Sequence, residues 1–236
     1  VIKALLRLMT SEVDTQDVFL AAGGIPLLVG LMRQEVGQVH SRLMGSLVNL
    51  LVVTVVGNPR AQDAVRTCGG IEMLSAALLG LSHPGRGDVH QLRVSLLTAL
   101  SVCIAGNSAN KLAFREQGGL AALVVLLKEV AGSGGPVDVE DGEQLVAAEL
   151  ELLCACLPQC PGNQEMMHGL GVTELLILQL SQPSRNTALQ RLLTTALSLL
   201  ADGQPVVQEM VVAAQLIPLL MERVRHPTSA QTMQVS

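Results

Sequence analysis

Apolar residues recur along the chain at intervals of three and four, the spacing of one buried helix face, and the apolar stretches follow an order of short, short and long. The first example is "DTQDVFLAAGGIPLLVGLM" (residues 14–32), where a glycine pair separates two apolar helical segments. The arrangement returns in "AQDAVRTCGGIEMLSAALL" from Ala61, "NKLAFREQGGLAALVVLLK" from Asn110, "NQEMMHGLGVTELLILQL" from Asn163 and "VVQEMVVAAQLIPLLMERV" from Val206. The apolar residue after each corner is Ile25, Ile71, Leu120, Val172 and Ile217, giving spacings of 46, 49, 52 and 45. Periods in this range predict stacked helical repeats.

Each unit predicts three helices. The first carries Gln-Asp or Gln-Glu near its start in four of the five copies (Gln16-Asp17, Gln62-Asp63, Gln164-Glu165, Gln208-Glu209), which places an acid where the helix dipole favours it. The glycine pair then ends that helix in a left-handed turn and lets the next backbone come close. On this reading Gly70→Val damages folding because a β-branched residue resists positive φ. In the last copy Gln215-Leu216 replaces the pair, which predicts a looser corner. The second helix holds Pro26 and Pro218 in its first turn, where a missing N–H costs nothing. The third helices are longer and more apolar, at residues 40–56, 89–105, 143–157 and 186–201, and two close on Gly-Asn (Gly57-Asn58, Gly106-Asn107). Each triplet leaves an apolar side that its neighbour must cover. One segment breaks the period: "GSGGPVDVEDGE" (residues 132–143), whose glycines, proline and four acids predict a solvated acidic loop insertion.

"ALSVCIAGNSANKLAFREQGGLAALVVLLK" resembles an armadillo repeat, the unit of β-catenin and importin-α. The resemblance covers nearly the whole chain and implies an all-α, right-handed α-solenoid of about four to five three-helix repeats. HEAT repeats, with two helices and usually no glycine corner, are the runner-up. Residues 1–236 then form a single armadillo-repeat domain. The opening "VIKALLRLM" reads as the middle of an amphipathic helix, so the chain is expected to be a fragment of a longer protein.

Composition supports helices and narrows the partners. The chain is 49% hydrophobic but 1% aromatic, with two Phe and no Trp or Tyr, so Leu, Val, Ala, Ile and Met must build the core. Fifteen basic against twenty acidic residues give a net charge of −5 without a basic run, so neither nucleic acid nor an anionic membrane is an expected partner. Scarce aromatics also disfavour base stacking. Residues 43–59 and 94–110 are uncharged but too short and polar for a membrane span, and read as buried helices. Five cysteines, an odd number, and no Asn-x-Ser/Thr sequon predict a reducing compartment, the cytoplasm or the nucleus.

No cofactor, metal or catalytic constellation is expected. Cys154, Cys156 and Cys160 in "CACLPQC", with His168 beyond, lack the paired C-x2-C spacing of structural zinc sites and read as core thiols. Arg86-Gly87-Asp88 reads as a turn. No Gly-Lys-Ser/Thr follows a Gly-rich stretch, and His40, His83, His90, His168 and His226 are scattered without a catalytic motif.

What remains is a surface. The resemblance implies third helices lining a concave groove that holds an extended peptide, with an Asn about 16 residues before the glycine pair as backbone clamp. Those positions here are Val53, Val102 and Cys154, so the Asn ladder and its companion Trp are missing and a nuclear-import receptor is not expected. The polar candidates for the groove are Arg42, Asn49, Gln91, Thr98, Arg191 and Thr195, each singly an ordinary solvated helix residue. The expected function is a non-enzymatic scaffold or adaptor that binds a protein or peptide segment. The alternatives are a regulatory or targeting module of a larger enzyme such as a kinase, and a nucleotide-exchange factor for a chaperone or small GTPase. The oligomeric state has no signature in the sequence.

Overall fold

The short-short-long apolar pattern becomes fifteen helices and no strand among the described residues of the computed structural model, which are 2–11, 15–35, 42–81, 88–132, 139–182 and 186–225. After α1 (Ile2–Ser11) come α2 (Thr15–Ala21), α3 (Gly24–Glu35) and α4 (Arg42–Val55). The order repeats as α5 (Pro59–Thr67), α6 (Gly70–Gly80) and α7 (Asp88–Ile104), then α8 (Ser108–Glu116), α9 (Gly119–Gly132) and α10 (Val139–Cys156). It returns in α11 (Pro161–Gly169), α12 (Val172–Ser181) and α13 (Thr187–Ala201), and ends with α14 (Pro205–Ala213) and α15 (Leu216–Arg225). The long helices α4, α7, α10 and α13 pack in succession, with α1 against α4 at the start of the row. Beside them α2, α5 and α8 form a second row, and α9, α12 and α15 a third. One apolar core runs through every unit, from Met9 and Ile25 to Val207 and Leu216. This is a helical-repeat packing in which neighbours bury one another.

Every corner turns on one left-handed residue: Gly23, Gly69, Gly118, Gly171 and Gln215, with φ of 75°, 72°, 75°, 85° and 52°. At the first corner α2 and α3 are bent by 74°. Gly69 supplies the positive φ, while Gly70 is already helical and is needed for space. A Cβ on Gly70 would stand 2.9 Å from the Val65 carbonyl oxygen and 2.6 Å from Val65 Cγ1. The expected harm of Gly70→Val therefore comes from crowding, not from backbone conformation. Gly24 and Gly119 are likewise pressed by the rings of Phe19 and Phe114.

Two corner readings change. In "HGLGV" the turn falls on Gly171, so Val172 occupies the second-glycine position and Thr173 the buried position of Ile25, Ile71 and Leu120. The chain tolerates Val172 because flexible Met167 stands where Phe19, Val65 and Phe114 stand elsewhere. The last corner is not looser: Gln215 adopts the left-handed conformation, and its N–H donates to Val212 O at 3.0 Å as Gly69 N–H does to Arg66 O.

The third helices end in a second left-handed residue, Gly57, Gly106, Gln159 or Gly203. Asn58 and Asn107 then cap α5 and α8 by accepting from Ala61 N–H and Asn110 N–H. A helix end leaves carbonyls without partners, and buried ones are costly. The glutamines of the Gln-acid pairs meet this need. Gln16 Nε2 donates to Val53 O at 2.7 Å, Gln62 Nε2 to Val102 O at 2.8 Å and Ala105 O at 2.9 Å, and Gln164 Nε2 to Leu199 O at 2.7 Å and Asp202 O at 3.2 Å. Lys111 holds the same position in the third unit and donates through Nζ to Pro158 O. The acid beside the glutamine has a partner across the junction: Asp17 accepts from Asn58 Nδ2 and Asp63 from Asn107 Nδ2, both at 3.1 Å.

The acidic segment is more helical than expected. α10 starts at Val139, so residues 139–143 of the predicted insertion are helical. Residues 133–138 of the predicted insertion, and Arg86-Gly87 of the RGD tripeptide, lie outside the described residues.

Two variants test these supports. Gly70→Ala keeps a permitted backbone and meets Val65 and, at 3.2 Å, Val29 Cγ2, so it should lower unfolding stability by about 1–3 kcal/mol in urea titration. Gln62→Leu removes the donor to two α7 carbonyls and should cost about 1–3 kcal/mol, whereas Gln208→Leu, whose exposed amide reaches Ala201 O, should change stability by less than about 0.5 kcal/mol.

Candidate functional site

Four third helices side by side make one continuous surface, and the left-handed corner residues fix its register. Arg42 and Gln91 each stand 27 residues before their left-handed corner residue, and Asn49, Thr98 and Thr195 each stand 20 before theirs. Arg191 lies four residues before Thr195. Offsets of three, four and seven share one helix face, so all six sequence candidates fall on the same side of their helices. Arg42, Asn49, Gln91, Arg191 and Thr195 are exposed and Thr98 is half-buried. The hydroxyls of Thr98 and Thr195 donate back to Val94 O and Arg191 O at 2.9 Å, leaving oxygen lone pairs outward.

Two residues of this surface were missed. Gln144 and Glu151 on α10 occupy the offsets of Gln91 and Thr98, and both are exposed. Measuring from Gly171 finds them; reading the fourth corner one residue early hides the match. The same shift moves the third Asn-ladder position from Cys154 to Ala155. Val53, Val102, Ala155 and Leu199 fill that row, half-buried. The outward face is thus polar, with two arginines, one glutamate, amides and hydroxyls, and no aromatic ring.

The groups considered for metal or redox chemistry are dispersed. Among the described residues no three His, Cys, Asp or Glu side chains gather as metal ligands. Cys156 is fully buried, and burial drives its thiol far above the ordinary range; burial also lifts Cys154 to about 11 and Cys103 to about 12. All five thiols are free. His168 Nδ1 lies 3.1 Å from Thr173 Oγ1.

Beneath the surface lies a charge cluster that composition did not reveal. Glu149 on α10 is fully buried at the offset where α4, α7 and α13 carry Leu47, Leu96 and Leu193. Neither carboxyl oxygen has a hydrogen-bond partner. Buried Arg93 on α7 directs Nη2 to Glu129 at 3.8 Å instead. Burial raises the Glu149 pKa from its ordinary 4.5 to about 8, with Arg93 pulling it down and Glu129 pushing it up. Between these two values the folded chain keeps a proton that the unfolded chain has lost, so stability falls as pH rises. Urea titrations from pH 4.5 to about 8 should show wild type losing stability, on the order of a few kcal/mol, and Glu149→Leu should flatten that slope.

No family model and no curated protein matches the chain. Solved structures do, among them two engineered proteins from the Northeast Structural Genomics Consortium. The first is 18% identical with a TM-score of 0.72, covering 98% of this chain and 82% of its own. The second is also 18% identical, with a TM-score of 0.55, covering 98% of this chain and 60% of its own. At that identity the likeness speaks to the fold alone, an all-helical chain with repeat-like packing.

Proposed function

We propose that the chain is a right-handed armadillo-type solenoid, and a non-enzymatic scaffold that holds an extended protein segment across α4, α7, α10 and α13. One observation carries the reading: polar residues recur in register on a continuous row of third helices, as Arg42–Gln91–Gln144 and as Asn49–Thr98–Glu151–Thr195. The three-helix period and the left-handed corner support the armadillo assignment. Side chains repeated from helix to helix suit a ligand that is itself periodic, such as an extended backbone. Packed helices lie about 8–10 Å apart, so three steps from α4 to α13 span about 24–30 Å. At about 3.3 Å per residue, that is roughly seven to nine extended residues. Arg42 and Arg191 then stand near the two ends of the bound segment and favour acids there, while Glu151 favours a donor between them. Five free thiols, two of them fully buried, support a reducing compartment.

Peptides selected from a random library on the wild-type chain test this. Arg42→Glu combined with Arg191→Glu should weaken their binding at least tenfold, about 1.4 kcal/mol, with an unchanged melting temperature. Undiminished binding would place the interaction on another face.

A further inference from the structure

The helices from α2 to α13 make four complete triplets, and the two ends divide a fifth between them. Before the triplets, α1 packs on α4 as each long helix packs on the next, but among the described residues it has no short pair of its own. After them, α14 and α15 are a short pair with no long helix. Ala4 marks the gap at α1. Nineteen residues before Gly23, it is exposed, whereas Leu50, Ala99, Leu152 and Ala196 at that offset from their corners are fully buried.

The corner offsets also show which face of a second helix each neighbour covers. Val29, six residues after its corner, sets Cγ2 3.2 Å from the place of a Cβ on Gly70, one residue after the next. Arg33, ten after the corner, reaches forward to Cys68 O and Gly69 O. Offsets two, six and ten therefore face the following unit, and offsets one, four and eight the preceding one. Ile217 and Met221 hold forward offsets in α15 and are 54% and 49% exposed, where Ile71 and Val124 are buried. Leu27 and Leu31 hold backward offsets in α3 and are 63% and 38% exposed, where Met73 and Leu126 are buried. One end thus presents an uncovered forward junction and the other an uncovered backward junction, each with the apolar side chains that interior junctions bury.

We propose that these two ends fit one another, so that the chain stacks head to tail on a second copy, with α14 and α15 of one molecule against α1, α2 and α3 of the next. The second copy's α1 then serves as the long helix of the α14–α15 unit, and its Ala4 is covered as Leu50 and Ala99 are. The contact continues the junctions already present between units and needs no new kind of packing. Two α14–α15 ends meeting each other would leave both short pairs without a long helix, which argues against a closed symmetric pair. Because the two faces differ, the contact is heterologous, and every added copy leaves one free face of each kind. The row of long helices then passes from α13 to α1 of the next copy without a break.

Sedimentation equilibrium of the wild-type chain from about 1 to 100 μM, a range that brackets a micromolar Kd, should show a mass that rises past the dimer and falls again on dilution. Ile217→Glu with Met221→Glu blocks the forward face, and Leu27→Glu with Leu31→Glu the backward face. All four residues are exposed, so both variants should keep the wild-type melting temperature. Each alone should stay monomeric, and an equimolar mixture should form a dimer and stop there, because one good face of each kind remains. A monomeric wild type, assembly of either variant alone, or a mixture that stays monomeric would each overturn the proposal. Should a variant not fold, the wild type decides: growth past two copies supports head-to-tail stacking, and a halt at two overturns it.

Discussion

A long helix that ends inside a stacked array must find partners for its last carbonyls, and the rest of this molecule is arranged around that need. The donor comes from the first helix of the same unit, seven residues before the corner: Gln16, Gln62, Lys111 or Gln164. Reaching back to the third helix, this side chain fixes how the short helix lies across the long one. The corner then sends the second helix along the remaining side, and the three apolar faces close on a shared core. Lysine replaces glutamine in one unit because the requirement is for a donor of the right length; there burial lowers the ammonium pKa, with Cys160 and Cys156 acting the other way.

The repeat was legible because its markers are local. A glycine pair between two apolar helices states both a turn and a close approach, and the third helices followed from their uninterrupted leucine and valine content. Misreadings arose where one residue's role depends on a distant one. Val172 looked like the residue after the corner because its fit depends on Met167, five positions earlier. The glutamine was assigned no partner because the carbonyl it serves lies 35 to 40 residues ahead. The first turns of α10 were read as loop because Gly and Pro in "GSGGPV" obscured the helix-starting acids that follow.

Surface and interior were unequally visible for the same reason. Arg42, Asn49, Gln91, Thr98, Arg191 and Thr195 could be placed on one face by counting from the corners, and Gln144 and Glu151 join them once the fourth corner is counted correctly. Glu149 was invisible in "AAELELL", where two glutamates two residues apart look alike. One lies outward and the other is buried in the row of core leucines, a difference of about half a helical turn.

The junctions between units are not stitched alike. Arg33 donates to Cys68 O and Gly69 O, and Lys128 to Leu170 O, fastening the first and third junctions, while Leu79 and Ser181 hold that place at the second and fourth without a cation. The asparagine–aspartate clasp joins only the first two, through Asn58 and Asn107. Among the described residues the first junction thus has both devices and the second and third one each, while the fourth is crossed by Gln208 Nε2 donating to Ala201 O. In a linear array, where each unit is held by its neighbours alone, such grading sets an order of release. By these two devices alone, the first junction would be the last of the four to open under denaturant.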